Sequence, residues 1–383
     1  MIDMQTIEIP LDDTIDKEEF KKSICFISPD IQSIQIKDEK IIVGISKQGD
    51  VNTIFENLQK MKEKYKINKQ DVEVYYNFEL QQKEFYDISR GCGIIFFGNG
   101  QVGFDQKGKF LLEWFDNVFL RFAKKLGAAE KIYPVMLPLE EYTMTGYIKK
   151  SPQYAIFCSS VQDSIGVLEM TNNAVQNKEV KNVIKEPEFA LSPSACFHTY
   201  IEYRGKELEQ DMLVTFKQNV FRNEGRLNYD ETGRLCDYLV REIVMIGTQE
   251  YCLSIRDRIM ECSVSLLKEL GLQGDISIAS DSFVVPKMQM YRKIQRIDKS
   301  KYEMHLYTSS ENKISVASFN LHGKAFTDPF NIRVKDENTV TACVGFGLQR
   351  FVISFLSQFG YDENNWPDRV KRSYQLFRKS LSE

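Results

Sequence analysis

The 383-residue sequence lacks the features that mark several common classes of protein. Its longest apolar runs, such as GIIFFG at residues 93–98, are far shorter than the roughly 20 residues that span a bilayer, so we expect no membrane segment. The first residues, MIDMQ, carry neither the basic nor the apolar region of a secretory signal. Only three histidines are present, and no H-E-x-x-H or G-x-S-x-G pattern occurs, so catalysis by several histidines is not expected. These absences predict a cytoplasmic globular protein.

Paired cysteines and an excess of positive charge are also missing. The eight cysteines are scattered without a C-x-x-C pair, which indicates reduced thiols, some of them available as metal ligands. The 50 basic and 54 acidic residues give a net charge of −4. Because neutralisation of phosphates dominates the affinity of proteins for nucleic acid, this balance argues against nucleic-acid binding as the main role. Two locally basic segments, at residues 60–66 and 369–379, are interpreted as solvated helix faces.

The first 82 residues are predicted to form a small α/β domain. The β-branched runs at residues 31–36 and 40–46 are separated by a short polar turn, which is typical of a hairpin. Apolar residues at helical spacing predict a helix over residues 51–65, and residues 72–78 resemble a further strand. We place the boundary of the second, larger domain at residue 83 and its end at residue 383.

The larger domain combines long amphipathic helices with strands in hairpin-like succession. Its first long helix carries an apolar stripe of Phe110, Leu111, Trp114, Phe115, Val118, Phe119 and Phe122. After residue 186 strands predominate, with further helices predicted over residues 251–270 and from residue 346. This order favours an α+β fold, an antiparallel sheet flanked by helices, over β-α-β alternation.

Two glycine-rich motifs resemble phosphate-binding loops but fail on their context. GNGQVG at residues 98–103 follows a strand, yet the next helix starts too late and the next acidic strand end is too distant for a dinucleotide fold. In GFDQKGK, Phe110 stands where a P-loop has the Ser or Thr that binds magnesium. Both motifs are therefore interpreted as a glycine turn ahead of a helix.

Three segments in order resemble the motifs of the class II aminoacyl-tRNA synthetase core. Residues 110–138 are similar to motif 1, the dimer-interface helix and strand, and residues 220–248 are similar to motif 2, two strands and a loop around ATP. ACVGFGLQRF at residues 342–351 is similar to motif 3, a strand leading into a helix with an arginine. Together with MLPLEEYTMTGYIKKSPQ, LSPSACFHTY and ASDSF, they resemble the amino acid:[carrier protein] ligases over about residues 84–360. Those ligases are truncated relatives of the atypical, zinc-dependent seryl-tRNA synthetases.

This resemblance implies an ATP site. Arg222 matches the motif 2 arginine that bridges the α-phosphate and the amino acid carboxylate, and Arg350 matches the motif 3 arginine on the γ-phosphate. Fixed cations and Mg²⁺ suit such a reaction, since negative charge develops at phosphorus. Glu224 would orient the adenine amino group or a water, whereas Ile243 stands where an aromatic ring usually stacks on adenine. A cross-strand ion pair is the structural alternative for Arg222 and Glu224.

The resemblance also implies a zinc site that binds the substrate amine. By position its ligands are Cys196, Glu242 and Cys343, and three protein ligands leave one position open, as a catalytic zinc requires. The alternative is that both cysteines are buried and inert. Asp281 and Asn320 match positions that line the substrate pocket in the family.

The expected function is therefore that of a ligase. It would activate a small amino acid such as glycine or alanine as an adenylate and pass it to the phosphopantetheine thiol of a carrier protein. The expected partners are ATP, the amino acid, the carrier protein and a second copy of the chain, with tRNA an unlikely partner. The alternatives are tRNA charging and a non-catalytic regulatory paralogue that binds an amino acid.

Overall fold

The computed structural model describes residues 5–37, 39–66, 73–78, 81, 84–89, 91–230 and 233–381. The helices are α1 (Lys17–Ile24), α2 (Val51–Lys62), α3 (Gln106–Lys125), α4 (Leu139–Met144), α5 (Tyr147–Lys150), α6 (Ile165–Gln176), α7 (Phe197–Glu202), α8 (Gln249–Leu270), α9 (Met290–Ile297), α10 (Thr327–Phe330), α11 (Leu348–Phe359) and α12 (Asp368–Ser380). The strands are β1 (Gln5–Pro10), β2 (Ile31–Lys37), β3 (Lys40–Ile45), β4 (Val74–Asn77), β5 (Ile94–Gly98), β6 (Gln101–Phe104), β7 (Ala129–Glu130), β8 (Met136–Pro138), β9 (Phe157–Cys158), β10 (Phe189–Leu191), β11 (Glu207–Leu208), β12 (Met212–Phe221), β13 (Asp237–Gly247), β14 (Gly274–Ile278), β15 (Lys301–Tyr307), β16 (Lys313–Gly323), β17 (Arg333–Val334) and β18 (Val340–Gly347).

The N-terminal residues form a three-stranded antiparallel sheet with two helices. The strand order is β1-β3-β2, and the predicted hairpin corresponds to β2 and β3, although Asp38 in its turn lies outside the described residues. The predicted helix over residues 51–65 is present as α2 followed by a 3-10 turn, and the Asp50 side chain caps its first turn. These elements enclose a hydrophobic core of their own, which contains Phe20, Leu58 and Tyr65.

The predicted antiparallel sheet is the centre of the remaining chain. Its eight strands have the order β4-β14-β15-β16-β18-β13-β12-β7, and every neighbouring pair is antiparallel except β12 and β7. Strand β4 lies within the predicted N-terminal domain, so the large sheet begins before the predicted boundary. Residues 82 and 83, where that boundary was placed, lie outside the described residues. The division at residue 82 stays a prediction.

Helices α3, α8 and α11 pack against the central strands of the large sheet. Aromatic rings fill the contact, and the Phe119 ring on α3 stacks on the Phe346 ring at the end of β18 with 4.0 Å between centroids. A buried ion pair joins the same layers, since Arg241 on β13 donates from Nε and Nη2 to the Asp116 carboxylate at 2.7 and 3.0 Å. The α+β prediction is thereby confirmed. In the described part of the chain, no helix has the length and apolarity to cross a membrane.

The glycine-rich segment after β5 is a hairpin turn and not a phosphate loop. Asn99 and Gly100 connect β5 to β6 with φ values of 51° and 71°, the left-handed conformation that Asn-Gly hairpin turns adopt. A Cβ at Gly100 would lie 2.6 Å from the Arg234 carbonyl oxygen, so the turn needs glycine. Helix α3 begins only after this hairpin, with the Asp105 side chain as its cap. The rejection of both phosphate motifs agrees with this geometry.

Candidate active site

A cavity of about 700 Å³ opens beside strands β13, β16 and β18. Its walls also include the turn into α7, the end of β12 and the segment around α9. This volume falls within the range of small-ligand pockets. The predicted site residues that line it are Cys196, Arg222, Glu242, Asp281, Asn320, Cys343 and Arg350. Residues separated by up to 154 positions in the sequence are therefore brought to one cavity.

Two arginines reach the cavity, and each is held by a backbone carbonyl and an aromatic ring. Arg222 follows β12, donates from Nε to the Pro193 carbonyl at 2.9 Å and lies 5.4 Å from the centre of the Tyr154 ring. Arg350 on α11 donates from Nη1 to the Ser315 carbonyl at 3.1 Å. The buried Nε of Arg350 has no hydrogen-bond partner among the described residues. A guanidinium group has five N–H donors, so both side chains retain donors for an anionic ligand.

Glu224 has a different position from these arginines. Its buried carboxylate lies 3.2 Å from Nη1 of Arg234 and is not part of the cavity lining. Burial raises the pKa of Glu224 above its ordinary value, although Arg222 and Arg350 oppose the shift. The cross-strand ion pair of Arg222 with Glu224 was the structural alternative, whereas the ion-pair partner of Glu224 here is Arg234.

Ile243 faces away from the cavity. Successive residues of β13 point to opposite faces of the sheet, so Arg241 and Ile243 point toward the helix layer while Glu242 points into the cavity. Ile243 is fully buried. Tyr238, on the same face of β13 as Glu242, is the strand's aromatic residue in the cavity, with Arg350 4.7 Å above its ring.

The two predicted cysteine ligands lie beside each other, together with a histidine that was not predicted. Cys196, His322 and Cys343 have their sulfur and nitrogen atoms within 4.8 Å of one another, and His322 Nε2 lies 3.3 Å from Cys343 Sγ. Glu242 is not a member of this close group, but its carboxyl group hydrogen-bonds the Cys343 thiol. A Cβ at Gly345, which pairs with Glu242 across the sheet, would lie 2.7 Å from Glu242 Oε2, so glycine leaves room for the carboxylate.

The protonation equilibria of this group are strongly perturbed. The hydrogen bond between the thiols lowers the pKa of Cys196 and raises the pKa of Cys343. Burial raises the pKa of Glu242 well above its ordinary value and lowers the pKa of His322 to about 4. Two thiols, a carboxyl group and a neutral imidazole are donors that zinc prefers, so the residues fit the zinc expected from the resemblance.

Asp281 and Asn320 line the cavity, each with protein partners. Asp281 accepts hydrogen bonds from Lys301 Nζ at 2.6 Å and from Gln295 Nε2 at 2.7 Å. Burial alone would raise the pKa of Asp281, but the contact with Lys301 lowers it. Asn320 Nδ2 lies 3.1 Å from Ser318 Oγ and 3.6 Å from Cys343 Sγ.

Sequence reasoning missed His322, Lys301 and the contact of the N-terminal residues with the site. His322 follows Asn320 by two residues on one strand, a spacing that places side chains on the same face and was available as a signal. Nothing local marked the other contacts. Arg226 in the predicted motif 2 loop donates to the Pro29 and Ile31 carbonyls, and Asn228 donates to the Lys22 carbonyl at 2.7 Å. Residues 231–232 of that loop lie outside the described residues.

The fold is that of the class II seryl-tRNA synthetases. The structure of a Methanopyrus kandleri seryl-tRNA synthetase in complex with Aquifex aeolicus tRNASec matches 96% of this chain and 76% of its own, with a TM-score of 0.70 and 19% identity. A Pyrococcus horikoshii seryl-tRNA synthetase complexed with ATP matches 73% of this chain and 60% of its own, with a TM-score of 0.53 and 13% identity.

The sequence relatives are type-2 serine–tRNA ligases. The enzyme of Methanothermobacter thermautotrophicus is 30% identical over 291 residues, and that of Methanococcus aeolicus is 27% identical over 292 residues. These matches cover 71% and 72% of this chain and 56% of each relative, so the chain spans little more than half the length of those proteins. No protein-family model matches the chain. The chain is thus similar in sequence to type-2 serine–tRNA ligases and has the fold of class II seryl-tRNA synthetase structures.

Two predictions made from the sequence are corrected by these relatives. The carrier-protein acceptor is wrong, because the homologues are tRNA ligases. The motifs that suggested it are those expected to serve amino acid activation, and a motif for activation carries no information about the acceptor. The expectation that tRNA is an unlikely partner is also wrong, since the M. kandleri enzyme has the same fold and was solved with a tRNA. Net charge averages over the whole surface, whereas binding of a phosphate backbone depends on local basic segments.

Proposed function

We propose that the chain is a ligase that activates an amino acid with ATP and transfers the aminoacyl group to tRNA, with serine as the first candidate. The observation that supports this most directly is the presence of Arg222, Arg350 and the Cys196, Glu242, Cys343 group in one cavity. Homology to serine–tRNA ligases supports the choice of tRNA and of serine.

The arginines supply the electrostatics of activation. The amino acid carboxylate attacks the α-phosphorus of ATP, the bond to the bridging oxygen breaks, and pyrophosphate leaves. Arg222, held at Pro193 and Tyr154, offers its fork to the carboxylate and the α-phosphate. Arg350 offers its donors to the departing phosphates, which Mg²⁺ is expected to accompany. Because both side chains are anchored, little reorganisation is needed as the charge develops.

The metal group, which is Cys196, Glu242 and Cys343, is proposed to hold the amine end of the amino acid. Cys196, Glu242 and Cys343 would bind zinc, which when present supplies a Lewis acid for the free amine. A ligand that lacks the amine would therefore bind poorly. Asp281 and Asn320, which line the same cavity, are proposed to contact the amino acid.

The test is pyrophosphate exchange into ATP, dependent on an amino acid, with zinc-loaded protein and each common amino acid in turn. We expect exchange with serine and loss of exchange in Arg222→Ala. Exchange with a different amino acid would support the ligase proposal and replace serine as the substrate. Absence of exchange with every amino acid, from folded and zinc-loaded protein, would overturn the proposal in favour of a non-catalytic paralogue.

The acceptor is tested separately, by transfer of labelled amino acid to total tRNA. We expect acid-precipitable, base-labile product that disappears when the tRNA is digested before the assay. Binding of tRNA should weaken steeply with salt, as it does for contacts made to phosphates. Exchange without any tRNA product would remove tRNA as the acceptor and leave activation intact. Homodimerisation stays a prediction, for which light scattering is the measurement.

A further inference from the structure

A β-bulge places His322 in the metal group. Strands β16 and β18 are paired at Leu321 with Ala342 and at Gly323 with Thr341, so His322 is an extra residue without a partner on β18. Such bulges change the direction of a side chain and are common beside active sites. The bulge lies one pair beyond that of Asn320 with Cys343, and the imidazole of His322 lies next to the Cys343 thiol.

The donor atoms around this position have the number and types of a closed zinc site. His322 Nε2 lies 3.3 Å from Cys343 Sγ, and the three donors of Cys196, His322 and Cys343 lie within 4.8 Å of one another. Two ligands of one tetrahedral zinc are separated by less than this, with metal distances of about 2.3 Å for sulfur and 2.0–2.1 Å for nitrogen. The Glu242 carboxyl group, which is hydrogen-bonded to the Cys343 thiol, supplies the fourth donor. The His322 ring also packs edge-on against Phe326, 5.0 Å between centroids, which restricts its orientation.

We propose that His322 is a fourth zinc ligand, which closes the metal site in the free protein and leaves when the amine of the amino acid binds. Only the displacement of His322 by the amine of an amino acid rests on the proposed function. Zinc ligation by His322 needs neither ATP nor an amino acid. A closed site would keep water and simple carboxylic acids off the metal, because only a ligand able to compete with imidazole could displace His322.

The test uses the full-length protein loaded with one zinc and studied by X-ray absorption. We expect two sulfur neighbours and the outer-shell scattering that an imidazole ligand produces, a signal lost in His322→Ala. Competition with a chromophoric chelator should show zinc affinity lowered at least about tenfold in the variant. His322→Cys, which restores a donor at the bulge, should recover the affinity. His198→Gln is the control, since His198 is a buried histidine whose Nε2 lies 3.1 Å from the Met136 carbonyl oxygen, outside the metal site.

Zinc bound by the wild type without imidazole scattering would overturn the inference, and so would unchanged affinity in folded His322→Ala. If the alanine variant does not fold, the wild-type spectrum still decides. Addition of serine should reduce the imidazole signal, and a signal unchanged by saturating serine would overturn the displacement. Imidazole ligation without pyrophosphate exchange would contradict the proposed function alone. Exchange by a zinc protein without imidazole ligation would contradict this inference alone.

Discussion

Asp16 Oδ2 lies 2.7 Å from Arg292 Nη2, and this ion pair joins the N-terminal residues to a wall of the cavity. Asp16 is also the cap of α1, where its Oδ1 accepts from the Glu19 amide at 3.2 Å. Arg292 belongs to α9, whose Tyr291 and Ile294 line the cavity, and its guanidinium lies 4.8 Å from the centre of the Tyr65 ring. One carboxylate therefore fixes both the start of α1 and the position of α9.

Asp16→Asn should weaken the contact with Arg292 and keep the cap of α1. Asparagine caps helices as well as aspartate does, but the mostly buried Arg292 would lose its countercharge. Removing one partner of a buried pair is strongly destabilising, and since this pair is partly exposed we expect a loss on the order of 2 kcal/mol in the free energy of unfolding. Urea denaturation measures it. Glu8→Gln, which breaks the exposed pair with Lys40, should cost less than about 1 kcal/mol. Equal losses in the two variants would contradict the role of Asp16.

Substitutions of Arg222 test the planar fork of its guanidinium. Removing one such donor from a developing charge typically costs about 10²–10³ in rate, so Arg222→Ala should lose exchange by at least that factor. Arg222→Lys keeps the charge and loses the two-point contact, and we expect it to resemble alanine more than the wild type.

The control for Arg222 is Arg204→Ala, which removes an exposed arginine 3.7 and 3.8 Å from Glu140 and Glu141. It should keep full exchange activity. Near wild-type activity in Arg222→Lys would show that charge alone is required at this position.

The large sheet and the metal group differ in how far the sequence could predict them. Apolar stripes and strand succession were strong, local signals, and they predicted α3, α8 and the antiparallel sheet. Cys196, Glu242 and Cys343 are separated by 46 and 101 residues, so only a family resemblance could suggest that they meet. Strand pairing brings these residues together, and the sequence around one strand does not show which distant strand it pairs with.

Three features depend on contacts in the folded chain that no local sequence pattern fixes. The bulge that inserts His322 arises from the pairing of β16 with β18, and its own strand pattern looks regular. Glu224 pairs with Arg234 because a buried carboxylate needs a countercharge, and the two residues are ten positions apart in the sequence. The packing of α1 against the loop after β12 joins residues about 200 positions apart.

Loss of one thiol should remove the metal. Cys343→Ala deletes the sulfur that contacts His322, Cys196 and Glu242, and we expect zinc to fall from about one per chain to near none by elemental analysis. Cys262→Ala, a half-buried thiol on α8, should keep its zinc. Equal zinc content in the two variants would contradict the assignment of this cluster as the metal site.

A pH dependence of stability should arise at His305. On β15 its Nδ1 lies 3.4 Å from Asp275 and its Nε2 lies 3.5 Å from Glu303, with Lys313 also on Asp275. Burial alone would lower it, but the two carboxylates raise the pKa of His305 above its ordinary 6.5. The folded state thus binds the proton more tightly than the unfolded state. The resulting stability is fully present below pH 6.5 and is lost as pH rises through the folded pKa.

The measurement is the difference in free energy of unfolding between the wild type and His305→Gln from pH 5 to 9. It should be largest near pH 5 and decline to a plateau at high pH. Although burial would raise it, His305 and Lys313 lower the pKa of Asp275 to about 2, so this carboxylate stays charged throughout the range. The stability contributed by His198 should depend on pH in the opposite direction. Burial lowers the pKa of His198, so its contribution is lost as pH falls. The difference between the wild type and His198→Gln should therefore rise with pH. Parallel slopes for the two histidines would contradict the charge network around His305.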